Sequence, residues 1–223
     1  LGPSGEEGFG GGKIMIEEGL LDDFKIDEIY ALHNWPELPI GQFGLSSGEM
    51  MAAVDEFDII VKGKGGHAAI PDLSIDPVII AAQIINSIQT IISRVTSPVD
   101  KALISVTKVN AGSAYNVIAD EIFLGGTVRT FKNETRNLIK ERLESTSRGI
   151  AQANGGDIIF KYKEGYPPTI NSKNESNFAA KVAIDLVGVE NVITDIDPSM
   201  GGEDFAYFLE KLPGSYLYIG QRD

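Results

Sequence analysis

Between residues 54 and 163 the spacing of apolar residues changes period in a fixed order, and no other feature narrows the possible folds as far. From Val54 apolar and polar residues alternate: Phe57, Ile59 and Val61 share one face, Glu56 and Asp58 the other, as a half-buried strand requires. A glycine-rich turn, GKGG, closes this strand. Asp76 can then cap the first free amides of a helix with Pro77 in its first turn. That helix is expected to run to about residue 95, with Val78, Ala81, Ala82, Ile85, Ile88 and Ile92 as its apolar stripe. Two strands follow, over residues 102 to 109 and 121 to 131. A second helix over 133 to 154 turns Ile139, Leu143 and Ile150 inward and stops at Gly155 and Gly156, and a last alternating strand groups Ile158, Phe160 and Tyr162. The order strand, helix, strand, strand, helix, strand is that of the ferredoxin-like split unit, with two helices on one face of an antiparallel sheet.

The flanking sequence mixes helices and strands differently. The first 45 residues hold a glycine-rich loop, a helix near residues 13 to 19 and an apolar run over 26 to 32, read as a strand with His33 just past its end. After the turn GYPP come a helix near 175 to 187, a strand at 191 to 195, a helix over 203 to 212 and a strand at 215 to 219. The simplest arrangement is an α/β fold in two pieces, residues 1–50 and 166–223, interrupted by an inserted ferredoxin-like α+β domain over residues 51–165.

A formal charge of -13, spread along all 223 residues, argues against nucleic acid or an anionic membrane as a partner. There is no cysteine, hence no disulfide, no thiolate nucleophile and no sulfur ligand for a metal. No apolar run is expected to reach the roughly 20 residues that span a bilayer, and no signal-peptide pattern opens the chain. A cytoplasmic protein is the expectation.

Several residues could carry chemistry, and each also has a plain structural explanation. Glu6 and Glu7 adjoin a run of glycines, where one carboxylate can bind a metal while its neighbour takes a proton from water; a solvated loop with a helix-start carboxylate is the plainer explanation of the pair alone. His33 stands where α/β folds place ligands, or is a packed strand-end histidine beside Trp35. His67 follows GKGG, whose backbone freedom admits a close substrate, or is an exposed turn residue. Arg129, within GGTVRTF, offers a guanidinium on a strand for bidentate recognition of a carboxylate, or an ordinary ion pair. Asn116 in SAYNVIA can bind a substrate or shape a turn, and Glu203 and Asp204 in GGEDF can cap a helix.

The succession GEEGFGGGKIMIEEGLLD, ALHNWPELPIGQFG, GKGGHAAIPDLSIDPV, AGSAYNVIAD, GGTVRTF, GYPPTIN and MGGEDFAYF resembles, in order and spacing, the aminoacylase-type metallo-amidohydrolases that include hippurate and auxin-conjugate hydrolases. The resemblance covers essentially the whole chain. It implies a metallopeptidase-like α/β catalytic domain bearing a ferredoxin-like lid that also forms a homodimer, acting on small N-acyl amino acids. Glu6 would be the general base and His67 a catalytic residue reaching the partner subunit's active site to stabilise an oxyanion. Glu7 and His33 would be metal ligands, and Asn116, Arg129 and Glu203 would bind the substrate. Two divalent ions are implied for the full-length protein, zinc or manganese, with cobalt and nickel also compatible with such donors. The family supplies further cysteine and histidine ligands from segments outside these 223 residues, so the chain is expected to be an incomplete, inactive portion of the enzyme. The alternative is a non-catalytic dimerising or ligand-binding module built on the ferredoxin-like domain.

Overall fold

A computed structural model describes residues 10–222. Two compact units divide them at Ala53/Val54 and Gly165/Tyr166, so that the first and last stretches of chain form one unit and residues 54–165 the other. In chain order the first stretch holds α1 (Gly11–Glu17), α2 (Leu20–Asp23), β1 (Ile29–Pro39), β2 (Phe43–Gly44) and β3 (Gly48–Met51). The middle stretch holds β4 (Ala53–Lys62), β5 (Gly66–His67), α3 (Pro77–Thr90), β6 (Ala102–Asn110), β7 (Val117–Ile118), β8 (Glu121–Thr130), α4 (Asn133–Ala153) and β9 (Asp157–Glu164). The last stretch supplies β10 (Thr169–Asn171), α5 (Lys173–Val187), β11 (Val192–Ile193), α6 (Ala206–Leu209) and β12 (Gly214–Arg222).

In the middle unit a four-stranded sheet has the order β6-β8-β4-β9, with β6 antiparallel to β8 and β4 antiparallel to β9. Alternation along β4 buries Phe57, Ile59 and Val61 together, as the period of two requires. They join Ile122, Leu124 and Val128 of β8, Ile80, Ile84 and Ile88 of α3, and Ile139 and Leu143 of α4 in one core. Asp76 caps α3, accepting from the Val78 N–H at 2.8 Å. The buried face of α3 differs from the stripe read off the sequence: Pro77, Ile80, Ala81, Ile84 and Ile88 face inward, while Val78 and Ala82 are exposed. Nearly every position from Pro77 to Ile85 is apolar, so periodicity alone leaves the helix free to rotate, and the sheet beneath it decides.

A π-type turn, Ile91–Val95, extends α3. The resulting helix, Pro77–Val95, has 19 residues and is apolar enough to cross a membrane by length and composition, which corrects the expectation that no run approaches this length. Five isoleucine and alanine positions on its inner side, Ile80, Ala81, Ile84, Ile88 and Ile91, belong to the core, while Val78, Ile79 and Val95 are exposed.

In the other unit β1, β12, β2 and β11 form a mixed sheet in that order, with β1 and β12 parallel. His33 does not lie past the end of a strand. It is paired with Tyr218 inside β1, which continues to Pro39. Pro36 is accommodated because β1 has a neighbour on one side only among the described residues, and the register shifts between Trp35 and Pro39. The expected helix over 203 to 212 shrinks to α6; bonds from the Tyr207 N–H to the Asp204 carbonyl (3.1 Å) and from Phe208 to Phe205 (3.0 Å) make its start a tight three-residue turn. The strand expected at 191 to 195 is limited to β11 because Val189–Asn191 forms a 3-10 turn.

Candidate active-site residues

His33 points from β1 into an aromatic group. Its ring lies 6.3 Å from that of Tyr216 and 6.4 Å from that of Trp35, and Trp35 stacks on Tyr218 at 4.0 Å. The His33 Nδ1 is 2.7 Å from the Asn34 carbonyl. A proton donated there leaves the lone pair on Nε2, the tautomer in which a histidine can ligate a metal while its other nitrogen is held by the backbone. Tyr216 connects this group to Glu203: its hydroxyl donates to Glu203 Oε2 at 2.6 Å, while Oε1 accepts from the Phe205 N–H at 3.2 Å. Burial pushes the Glu203 carboxyl up from its ordinary value, against the lowering influence of these two donors. Its neighbour Asp204 adds to that upward push and also accepts from the Gly12 N–H at 2.8 Å. Glu6 and Glu7 lie outside the described residues.

The remaining candidates belong to the middle unit. The structure brings two of them together: β5 and β7 form a short antiparallel ribbon with His67 opposite Val117, and the Ala68 N–H donates to the Asn116 carbonyl at 3.0 Å. The ribbon is held by Asp120, whose carboxylate accepts from the Gly65 N–H at 2.8 Å. Both His67 and Asn116 are exposed. The Ala69 N–H donates to His67 Nδ1 at 3.1 Å, so the ring proton sits on Nε2 and is available as a donor.

Arg129 is elsewhere, on β8 opposite Leu103. It is half-buried, and burial pulls its guanidinium below the ordinary value despite the opposing charges of Asp55 and Glu56. No ion pair or side-chain hydrogen bond joins it to any described residue. The ordinary ion pair considered from the sequence is instead made by Arg136, which grips buried Asp55 through Nε at 2.7 Å and through Nη2. The Tyr162 hydroxyl (2.7 Å) and the Gly165 N–H (3.0 Å) complete the donors around Asp55. Sequence reasoning missed this network, although a signal existed: Asp55 has the parity of Phe57, Ile59 and Val61, a carboxylate on the apolar face of its strand.

Among the described residues no three histidines, aspartates or glutamates gather into a metal-holding cluster. His33 fits one ligand position, and the described donor set goes no further. A surface cavity of about 290 Å³ between α5 and the β2–β11 end of the sheet, lined by Leu45, Ser47, Ser176 and Lys181 among others, includes none of the candidates.

The family model described as Peptidase family M20/M25/M40 matches residues 2–223. The chain belongs to that family. It is 40% identical over 215 residues to an N-acetylcysteine deacetylase of Bacillus subtilis, covering 96% of this chain and 55% of that protein. It is 38% identical over 214 residues to a hippurate hydrolase of Campylobacter jejuni, covering 96% and 56%. Among solved structures, the YXEP protein of Bacillus subtilis, described as a dinuclear metal binding peptidase from the M20 family, superposes with a TM-score of 0.80 at 34% identity, over 99% of this chain and 54% of that one. This M20 chain therefore has the mixed α/β fold of the family and spans about half the length of the curated relatives it matches.

Proposed function

We propose that this chain is part of a metal-dependent amidohydrolase that cleaves the amide bond of N-acyl amino acids. Arg129 carries this reading: a half-buried guanidinium, fixed on a strand and without an ion pair among the described residues, suits the free carboxylate that every such substrate retains. The deacetylase and hydrolase names of its relatives agree with that substrate class.

In this reading Glu7 and His33 are two of the protein ligands of a divalent metal pair, zinc or manganese, with cobalt and nickel compatible. Such ions, when bound, polarise the amide carbonyl and acidify water. Glu6 takes the proton of the attacking water and passes it to the leaving amine. His67, with Nδ1 occupied by the Ala69 N–H, offers Nε2–H to the developing oxyanion. Arg129 and Asn116 bind the substrate, Arg129 by pairing with the substrate's carboxylate, and Glu203 is a further substrate-binding residue. The middle unit is the ferredoxin-like lid, inserted between the two pieces of the catalytic domain. It forms the homodimer in which His67 reaches the active site of a second copy. A cytoplasmic location accords with this chemistry.

The test uses the chain extended at both ends to the length of its relatives. It is expected to bind two metal ions and hydrolyse a panel of N-acyl amino acids, and Glu6→Gln abolishes turnover. Arg129→Ala raises KM by about ten- to a hundredfold for substrates with a free carboxylate, the size of a lost charge-assisted bond, and leaves their C-terminal amides unaffected. If the extended protein neither binds metal nor turns over, the non-catalytic module becomes the better account.

A further inference from the structure

His67 stands on a segment of the middle unit that is held from both sides. On one side is Asp120, the residue before β8. Its backbone carbonyl accepts from the Gly63 N–H at 2.8 Å, and its carboxylate accepts from the Gly65 N–H at 2.8 Å. On the other side is Ile75, at the approach to α3. Its N–H donates to the Lys64 carbonyl and its carbonyl accepts from the Lys64 N–H, both at 2.9 Å. Ile75 packs against the core to which β8 contributes Ile122, Leu124 and Val128, so both supports are anchored. The ladder between β5 and β7 pairs Gly66 with Ile118 and His67 with Val117 and does not reach Gly65. The Asp120 carboxylate thus supplies the acceptor that a strand partner would otherwise give to the Gly65 N–H.

The two glycines before His67 are tightly packed. A Cβ on Gly65 would lie 2.8 Å from the Ile118 carbonyl oxygen and 2.9 Å from Asp120 Oδ1, and one on Gly66 would lie 2.2 Å from Ser74 Oγ. Neither glycine has a positive φ. Glycine is needed here for room, and not for the backbone freedom suggested by the sequence. Ser74 Oγ is buried and has no hydrogen-bond partner among the described residues, so it bears on Gly66 by occupying space alone.

We infer that Asp120 is a positioning residue, which by holding Gly65 against the start of β8 fixes the direction in which His67 presents its Nε2–H. The His67 ring is exposed, and its Nδ1 accepts from the Ala69 N–H at 3.1 Å, so the ring is oriented within a ribbon that Asp120 ties to the core. This role rests on the reading of His67 as donor to the developing oxyanion. A donor fixed in advance acts on charge that appears in the transition state, so loosening it lowers kcat and leaves KM nearly unchanged.

The experiment compares Asp120→Ala, Asp120→Asn, His67→Ala and the double variant of Asp120→Ala with His67→Ala in the extended protein. Readouts are kcat and KM for an N-acetyl amino acid. Asp120→Ala should lower kcat by about ten- to a hundredfold, the scale of a small displacement of a catalytic group, with KM changed less than about twofold. Asp120→Asn keeps an acceptor oxygen for the Gly65 N–H and should stay within about threefold of wild type. The double variant should match His67→Ala to within about twofold, because Asp120 acts through the residue already removed, whereas general loosening of the fold would multiply the two losses. Gly66→Ala disturbs the same segment from the Ser74 side and should also lower kcat, and adding Ser74→Ala should restore it by removing the oxygen that the new Cβ strikes. That pair keeps the test decisive if Asp120→Ala folds poorly. With wild type active and His67→Ala impaired, four results each overturn the inference alone: full kcat in Asp120→Ala, equal loss in Asp120→Asn, losses that multiply in the double variant, or a Gly66→Ala loss that Ser74→Ala leaves in place. Wild-type kcat in His67→Ala removes the proposed role of His67, and a wild type that hydrolyses nothing removes the amidohydrolase reading; the inference falls with either.

Discussion

The two units solve the problem of burying apolar surface differently. In residues 54–165 one core joins both helices to the sheet. The other unit divides its buried residues into two smaller groups, one around Met50, Phe205, Tyr216 and Tyr218 and one between α5 and Leu45, Val192 and Leu217. It also leaves large apolar side chains in the open. On α5, Phe178, Val182 and Leu186 recur every four residues on the exposed side, while Ala179, Ala180 and Ala183 pack inward. On β1, Leu32 is 61% exposed, and Tyr30, 6.1 Å from the Phe178 ring, is also exposed. A helix apolar on two faces is written for burial on both. Both units leave large apolar side chains exposed, Ile79, Val99 and Tyr115 of the middle one among them, and the difference lies in the interior, which is one cluster in residues 54–165 and two in the unit bearing His33.

Several experiments would break or sharpen that contrast. The largest expected effect is all or none: residues 54–165 expressed alone should unfold in one cooperative denaturant transition, and residues 10–53 joined to 166–222 should not. Two comparable sigmoidal transitions would erase the difference.

Next comes Asp55→Ala. It strands the buried Arg136 guanidinium and the Tyr162 hydroxyl and should cost about 3–5 kcal/mol in the middle unit, read from the denaturant midpoint of residues 54–165. A cost under about 1 kcal/mol would mean that the network is solvated, as exposed ion pairs are.

Within α3, Ile84→Ala should destabilise by about 2–5 kcal/mol, the range for buried large-to-small changes, whereas Ile79→Ala on the exposed side should stay within about 0.5 kcal/mol. Equal costs would restore the broad stripe read from sequence.

The smallest effect is a pH dependence. Bonds from Lys132 and Thr135 hold the half-buried Asp100 carboxyl below its ordinary value. A depressed carboxylate pKa stabilises the fold above the unfolded aspartate range, and the contribution is lost as pH falls through the folded value. Asp100→Asn should therefore be slightly destabilising near neutral pH and neutral in acid, checked by melting curves across pH.

Legibility followed how local each signal was. The middle elements read clearly because alternation in β4, the Asp76–Pro77 start of α3 and the Gly155–Gly156 stop of α4 are set by neighbours in sequence. The helix expected over 203 to 212 was read too long: Asp204, taken for a cap of its own helix, bonds Gly12, while Glu203 bonds both the local Phe205 N–H and the distant Tyr216. His33 was misplaced because β1 is extended by its pairing with β12, nearly two hundred residues away. Among the site residues, sequence named His67, Asn116 and Arg129 but could not say that the first two share a ribbon, nor that Arg136 takes the buried ion pair and leaves Arg129 without one among the described residues.

The sequence by itself determined the order of elements, the parity of strand faces and the motifs that mark the family, since period, capping and turn chemistry act over a few residues. Only the tertiary structure decided which face of α3 is buried, which arginine pairs with Asp55 and which helix Asp204 caps. Those outcomes depend on groups distant in sequence competing for the same contact, and the winner is fixed by packing distance that no local pattern encodes.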